Sequence, residues 1–122
     1  MAGQQVYYGT KRIEAAPTFG GDSEVDDGSE CVGYRVTYPD GYVSWSPKDV
    51  FEAAYRPADR MGFEGALAAM REGHRVRRIG IDAEGVSIWL ADGVFLCQRA
   101  GSYAGHWWPN PDSLLADWMI VE

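Results

Sequence analysis

Basic residues are scarce in this chain. Eleven Lys and Arg stand against eighteen Asp and Glu over 122 positions, a formal net charge of −7. That balance excludes a general binder of nucleic-acid polymers or anionic membrane surfaces, which need a surplus of cations to meet phosphates. Cysteine is rarer still, with Cys31 and Cys97 alone, so no disulfide framework is predicted and both thiols are expected to be reduced. Histidine is limited to His74 and His106, and none of these four residues sits close enough to another to match a zinc site. No apolar run nears the ~20 residues of a membrane-crossing helix. The opening MAGQQVYYGTKR is polar and mixed rather than the apolar core of a secretion leader. A cytoplasmic protein with no membrane contact is the expectation, and 46% hydrophobic content suffices for a core without covalent staples.

Catalytic signatures are equally thin. No G-x-S-x-G occurs, and the serines fall in turns or beside helix starts. GFEG and GIDAEG match neither the P-loop nor the dinucleotide pattern. Asp112 and Asp117 are the nearest approach to a working carboxylate pair, but Asp112 reads as a helix N-terminal residue and Asp117 as a turn or surface group. The stretch DSEVDDG, 22–28, begins like a calcium loop, yet its glycine falls one position late and Gly33 stands where the closing glutamate belongs. It reads as a solvated acidic loop. No enzyme, cofactor or metal is predicted.

What is present is a succession of short periodic segments. Val6–Ile13 reads as a strand, and 16–30, rich in Gly, Asp and Glu, as a loop. Val32, Tyr34, Val36 and Tyr38 alternate with smaller or polar residues, and PDG at 39–41 turns the chain into Tyr42–Trp45, a hairpin. Ser46-Pro47-Lys48-Asp49 is a helix start with Ser46 as cap and Pro47 first, and Val50, Phe51, Ala54 and Tyr55 share one side until Pro57 ends it. RPADRMG, 56–62, is the predicted boundary. Phe63, Ala66, Leu67 and Met70 then mark a second amphipathic helix closed by Gly73. Arg75–Gly80 reads as a strand, Val86–Leu90 and Val94–Gln98 as a hairpin turned by ADG, 111–116 as one helical turn, and Trp118–Val121 as a last strand. The sum is an α+β fold of mostly antiparallel sheet with two short amphipathic helices, organised as 1–58 and 62–122 with separate or shared cores.

Arginine and tryptophan carry the remaining signal. RVRR, 75–78, sends Arg75 and Arg77 to one face of a strand and Arg78 to the other. Trp89, Trp107, Trp108 and Trp118 follow. Rings that stack on a base beside planar multi-donor guanidinium groups suit a nucleotide with phosphates. Trp118, leading into Met119-Ile120-Val121, reads as core; the adjacent Trp107 and Trp108 point opposite ways, so at most one can join it.

The second half resembles a known family. FEGALAAMREGHRVRR and DSLLADW match the pattern of the phage Thoeris anti-defence proteins of the second type, with Phe63, Ala66, Leu67, Gly73, Val76, Arg78, Asp112, Leu114, Asp117 and Trp118 fitting. Where that family has Gly-Trp-Asn-Gly, this chain has Gly80-Ile81-Asp82-Ala83, and Pro109-Asn110-Pro111 shortens a later spacing. The resemblance implies a homodimer or homotetramer that sequesters cyclic nucleotide immune signals, of glycocyclic ADP-ribose type or cyclic di- and trinucleotides, in the cytoplasm of the infected bacterium, without degrading them. Arg77 or Arg78, Trp89, Trp107, Trp108, Asn110 and Asp112 are the expected ligand-binding residues, with Trp107 or Trp108 replacing the family's ring. The first half, with Gly9-Thr10-Lys11 and DGYVSWSPK, is similar to a small phage family without known activity; Trp45 and Lys48 there read as a pocket rim or a helix start. The alternative is a non-catalytic phage interaction module whose exposed tryptophans anchor a protein partner. A nucleotide-degrading enzyme ranks last.

Overall fold

The computed structural model describes residues 3–20 and 23–121. The chain divides into two compact units, Met1–Tyr55 and Arg56–Glu122. The first combines one described short helix, and the second two, with antiparallel sheet, the α+β class predicted.

In the first unit β1 (Glu14–Thr18), β2 (Gly33–Thr37) and β3 (Val43–Pro47) form a three-stranded sheet in sequence order, followed by α1 (Lys48–Ala54). The predicted hairpin is present: Gly33 pairs with Pro47 and Thr37 with Val43 across the turn. Val36 is buried, as its place in the alternation requires. The first strand is a correction. Among the described residues Val6–Ile13 joins no sheet, and pairing starts at Glu14, opposite Thr37, and ends with Thr18 opposite Gly33. Thr18 decides the register, because its side chain is wholly buried and its hydroxyl accepts a hydrogen bond from Trp45 Nε1 at 2.9 Å. Pro17 is tolerated because β1 is an edge strand. The predicted loop at 16–30 is thereby shortened at its start. Gly21 and Asp22, the latter the first position of the calcium-like stretch, lie outside the described residues. Beyond them Asp26 and Asp27 accept from the backbone N–H groups of Gly28 and Ser29, local turns for which Asp is suited.

The start of α1 differs too. Strand β3 runs through Pro47, which takes the capping position itself, while the Ser46 hydroxyl donates to the Pro47 carbonyl rather than capping the helix. On α1, Phe51 stacks on Tyr34 with ring centres 4.1 Å apart and on Tyr55 at 5.2 Å. Val50 and Ala54 stay exposed. The Tyr34 hydroxyl donates to Glu52, which also accepts from Lys48; that bond, then burial, pushes the Tyr34 hydroxyl up to about 12.

The second unit begins with the segment predicted as a boundary. Met61 and Trp118 exchange backbone hydrogen bonds at 2.6 and 2.7 Å, and Ile120 donates to the Ala58 carbonyl. Residues 58–61 thus cover what would be an open sheet edge. Arg56 and Arg60 grip the Asp117 carboxylate at 2.7 and 2.6 Å, and their hydrogen bonds hold it below the usual carboxylate range. Helix α2 (Phe63–Arg71) follows, then Gly73 at φ +96°, a left-handed position where a side chain would be strained. Strands β4 (Arg75–Arg78), β5 (Val86–Ala91), β6 (Val94–Arg99), β7 (Gly105–His106) and β8 (Trp118–Val121) form one sheet in the order β7-β6-β5-β4-β8, with α3 (Pro111–Leu115) before the last strand. Asp92 and Gly93 both have positive φ, the geometry of a two-residue hairpin turn. Met61, Ala66, Ala69, Met70, Val76, Ile88 and Trp118 are the buried core, with Phe63, Phe95, Trp107 and Ile120 packed against it. Among the described residues no helix is long and apolar enough to cross a membrane.

Candidate functional site

The five-stranded sheet sorts the arginines and tryptophans onto two faces with different chemistry. Alternation along β4 sends Val76 and Arg78 to the face covered by α2, and Arg75 and Arg77 to the opposite one.

On the covered face each of the three guanidinium nitrogens of Arg78 has a partner. Nε and Nη2 form a fork with the two carboxylate oxygens of Asp82 at 3.0 and 2.6 Å, and Nη1 donates to Ser113 Oγ at 2.8 Å. Asp82 Oδ2 also accepts the Arg78 backbone N–H at 2.8 Å. The pair is nearly enclosed, with side chains 15% and 8% exposed. Burial alone would push the Asp82 carboxyl up, but the Arg78 hydrogen bonds and the charges of Arg78 and Arg77 outweigh it and hold it below the usual range. Asn110 belongs to the same assembly. Its Oδ1 accepts from the backbone N–H of Ser113 at 2.8 Å and from Ser113 Oγ at 2.9 Å, capping α3 with Pro111 in the first turn. Trp107 turns into the core, edge-on to Phe95 and Trp118 at 5.6 and 5.7 Å, and lies 5.7 Å from the Arg78 guanidinium.

Arg78, Trp107 and Asn110 are among the residues expected to meet a ligand. They do come together, but as a hydrogen-bonded brace between β4, α3 and the core. Its carboxylate partner is Asp82, at the very departure from Gly-Trp-Asn-Gly. Trp108 points away from Trp107, as adjacency requires, and is 73% exposed, edge-on to His106. Asp112 is exposed in the first turn of α3.

The opposite face holds Arg77 and Trp89 together with a residue absent from the expected set, Arg75. The register Val76↔Ile88 sets Arg75 beside Trp89, and the guanidinium lies over the indole 3.8 Å from the ring centre. Arg75 Nη1 donates to Ser87 Oγ at 3.2 Å and to Gln98 Oε1 at 3.3 Å. Arg77 Nη1 reaches the Asp82 carbonyl at 3.4 Å. Among the described residues neither Arg75 nor Arg77 closes an ion pair, although the Arg77 charge acts on the Asp82 carboxylate. Leu96, Met119 and Val121 complete this face by the pairings Trp89↔Leu96, Arg77↔Met119 and Arg75↔Val121. The sequence signal for Arg75 was its two-residue spacing from Arg77; what it lacked was the non-local β4–β5 pairing that supplies the tryptophan.

Among the described residues no group of three or more His, Cys, Asp or Glu side chains is gathered to hold a metal ion. A surface depression of about 410 Å3 in the first unit, lined by Lys11, Tyr38, Pro39, Asp40 and Tyr42, contains none of the expected ligand-binding residues. No family model, curated protein or solved structure matches this chain.

Proposed function

We propose that the protein is a phage-encoded, non-catalytic anti-defence protein that binds and sequesters a small cyclic nucleotide signal, of glycocyclic ADP-ribose type or a cyclic di- or trinucleotide, in the cytoplasm of an infected bacterium. The observation that carries this reading is the face with Arg75 stacked on Trp89 and Arg77 beside it. Two arginines that close no ion pair among the described residues, in a protein of net charge −7, form a local cationic and aromatic surface against an acidic background. Such a surface offers guanidinium forks to phosphate and a flat ring to a base. The resemblance of FEGALAAMREGHRVRR and DSLLADW to the anti-defence family supports the same ligand class and a homodimeric or homotetrameric state.

The test is titration calorimetry of the full chain against glycocyclic ADP-ribose and a panel of cyclic di- and trinucleotides. Saturable binding with submicromolar Kd to one of them is the expected result. Absence of heat with all of them contradicts the reading. A second reading, a protein-interaction module, is favoured by Trp108, which together with the exposed Leu115 presents apolar surface to solvent. The same titration separates the two, because no nucleotide binds under that second reading; there a pull-down, in which Trp108→Ala abolishes capture of the protein partner, supplies the positive result.

A further inference from the structure

We infer, building on the sequestration reading, that Arg75 and Arg77 form a two-point phosphate clamp on the α2-free face of the sheet, with Trp89, Ser87 and Gln98 as positioning residues. The ligand class is a compact nucleotide carrying two phosphoryl groups. Three features lead there. Arg75 and Arg77 are two residues apart on β4, so their Cα atoms stand about 7 Å from one another with both side chains on one face. The Arg75 head is held toward Ser87 and Gln98 and the Arg77 head toward the Asp82 carbonyl, so the two forks can each meet a separate phosphoryl group. The Arg75 head is already fixed, by the ring beneath it at 3.8 Å and by the two acceptors on Nη1, Ser87 Oγ and Gln98 Oε1. A guanidinium has five N–H donors, so Nε and Nη2 remain for an incoming oxygen, and a head immobilised before binding loses less entropy on binding. Charge is the third feature. No Asp or Glu occupies the strand positions of this face, at Ser87, Trp89, Leu96, Gln98, Met119 and Val121. An anion arriving there meets two cations; the carboxylate that feels the Arg77 charge, Asp82, is already forked onto Arg78.

The covered face makes the contrast. Arg78 has the same side chain, but its fork is closed by Asp82 and its remaining edge by Ser113. The clamp therefore consists of the pair on the other face.

The probes are inorganic pyrophosphate and ADP-ribose, each carrying two linked phosphoryl groups, compared with inorganic phosphate and adenosine monophosphate by calorimetry on the full chain. The two-phosphate probe is expected to bind at least about tenfold tighter than its one-phosphate counterpart. Arg75→Ala and Arg77→Ala should each weaken the two-phosphate probe by roughly tenfold to a hundredfold, the range of a charge-assisted hydrogen-bonded contact, and erase its advantage. Trp89→Leu, which frees the Arg75 head, should weaken both classes. Arg71→Ala, on α2, should change neither. Far-UV circular dichroism identical to wild type qualifies each variant, and Arg75→Lys substitutes where alanine fails that check. A protein that takes up a cyclic nucleotide but neither pyrophosphate nor ADP-ribose overturns the clamp and leaves sequestration standing. One that takes up none of them overturns both. Wild-type affinity in Arg75→Ala and Arg77→Ala also overturns the clamp.

Discussion

Trp118→Ala is expected to destabilise the second unit by about 3 to 5 kcal/mol, the cost of emptying a large aromatic site in a core. Trp118 is fully buried, with ring centres 5.6 Å from Phe63 and 5.7 Å from Trp107. Its indole N–H donates to the Ser113 carbonyl at 3.0 Å, and its backbone N–H and C=O hold Met61. Truncation leaves a cavity between α2 and the sheet and removes one of the two donors to the Ser113 carbonyl, leaving the longer bond from the Ala116 N–H. Domains are stable by about 5 to 15 kcal/mol in all, so much of the unit's stability goes with this ring. Urea unfolding followed by circular dichroism measures it. A loss below ~1 kcal/mol would mean that the ring is not the centre of the core. Trp118→Phe should cost less, since it keeps an aromatic ring and gives up the hydrogen bond.

The second large effect is at Asp82. Asp82→Ala leaves the Arg78 guanidinium, 15% exposed, without its carboxylate, and breaking one side of an enclosed ion pair costs about 3 to 5 kcal/mol. Replacing both partners is expected to cost less than the sum, because the unpaired charge disappears with its partner. The pair also has a pH signature. The folded Asp82 carboxyl lies below its unfolded value of about 3.9. Its contribution is therefore fully present above that value and is lost as pH falls through the folded one. Comparing wild type with Asp82→Asn isolates it from the other carboxylates. The difference in melting temperature should be constant from neutral pH down to about 5 and shrink below about 4. A difference that instead grows on acidification would contradict the assigned ion pair.

Local patterns made much of the second unit legible from its residues. The i, i+3, i+4, i+7 spacing of Phe63, Ala66, Leu67 and Met70 became α2, and Asp92-Gly93 became the turn between β5 and β6. Adjacency alone separated Trp107 from Trp108. Long-range partners were not legible. EAAPT has no alternation of its own and contains a proline; it is a strand because β2 and Trp45 accept it. Val6–Ile13 has the apolar residues and no partner strand among those described. Ser46 has the chemistry of a cap, but β3 continues past it. At the candidate site the division of RVRR between two faces was readable, and its consequence was not. Which arginine is neutralised depends on Asp82 folding back onto β4, and which gains a ring depends on the register of β5.

Uptake followed by release decides whether the Arg75–Trp89–Arg77 face sequesters a nucleotide. Protein in excess is mixed with glycocyclic ADP-ribose or a cyclic dinucleotide and passed through a membrane that retains protein; the retained fraction is heated and its small molecules weighed by mass spectrometry. For a sequestering face, one of these ligands vanishes from the filtrate, returns chemically intact on heating, and stays in the filtrate when the protein carries Arg75→Ala and Arg77→Ala together. Free passage of every ligand through the membrane, or recovery of a cleaved product, would contradict sequestration.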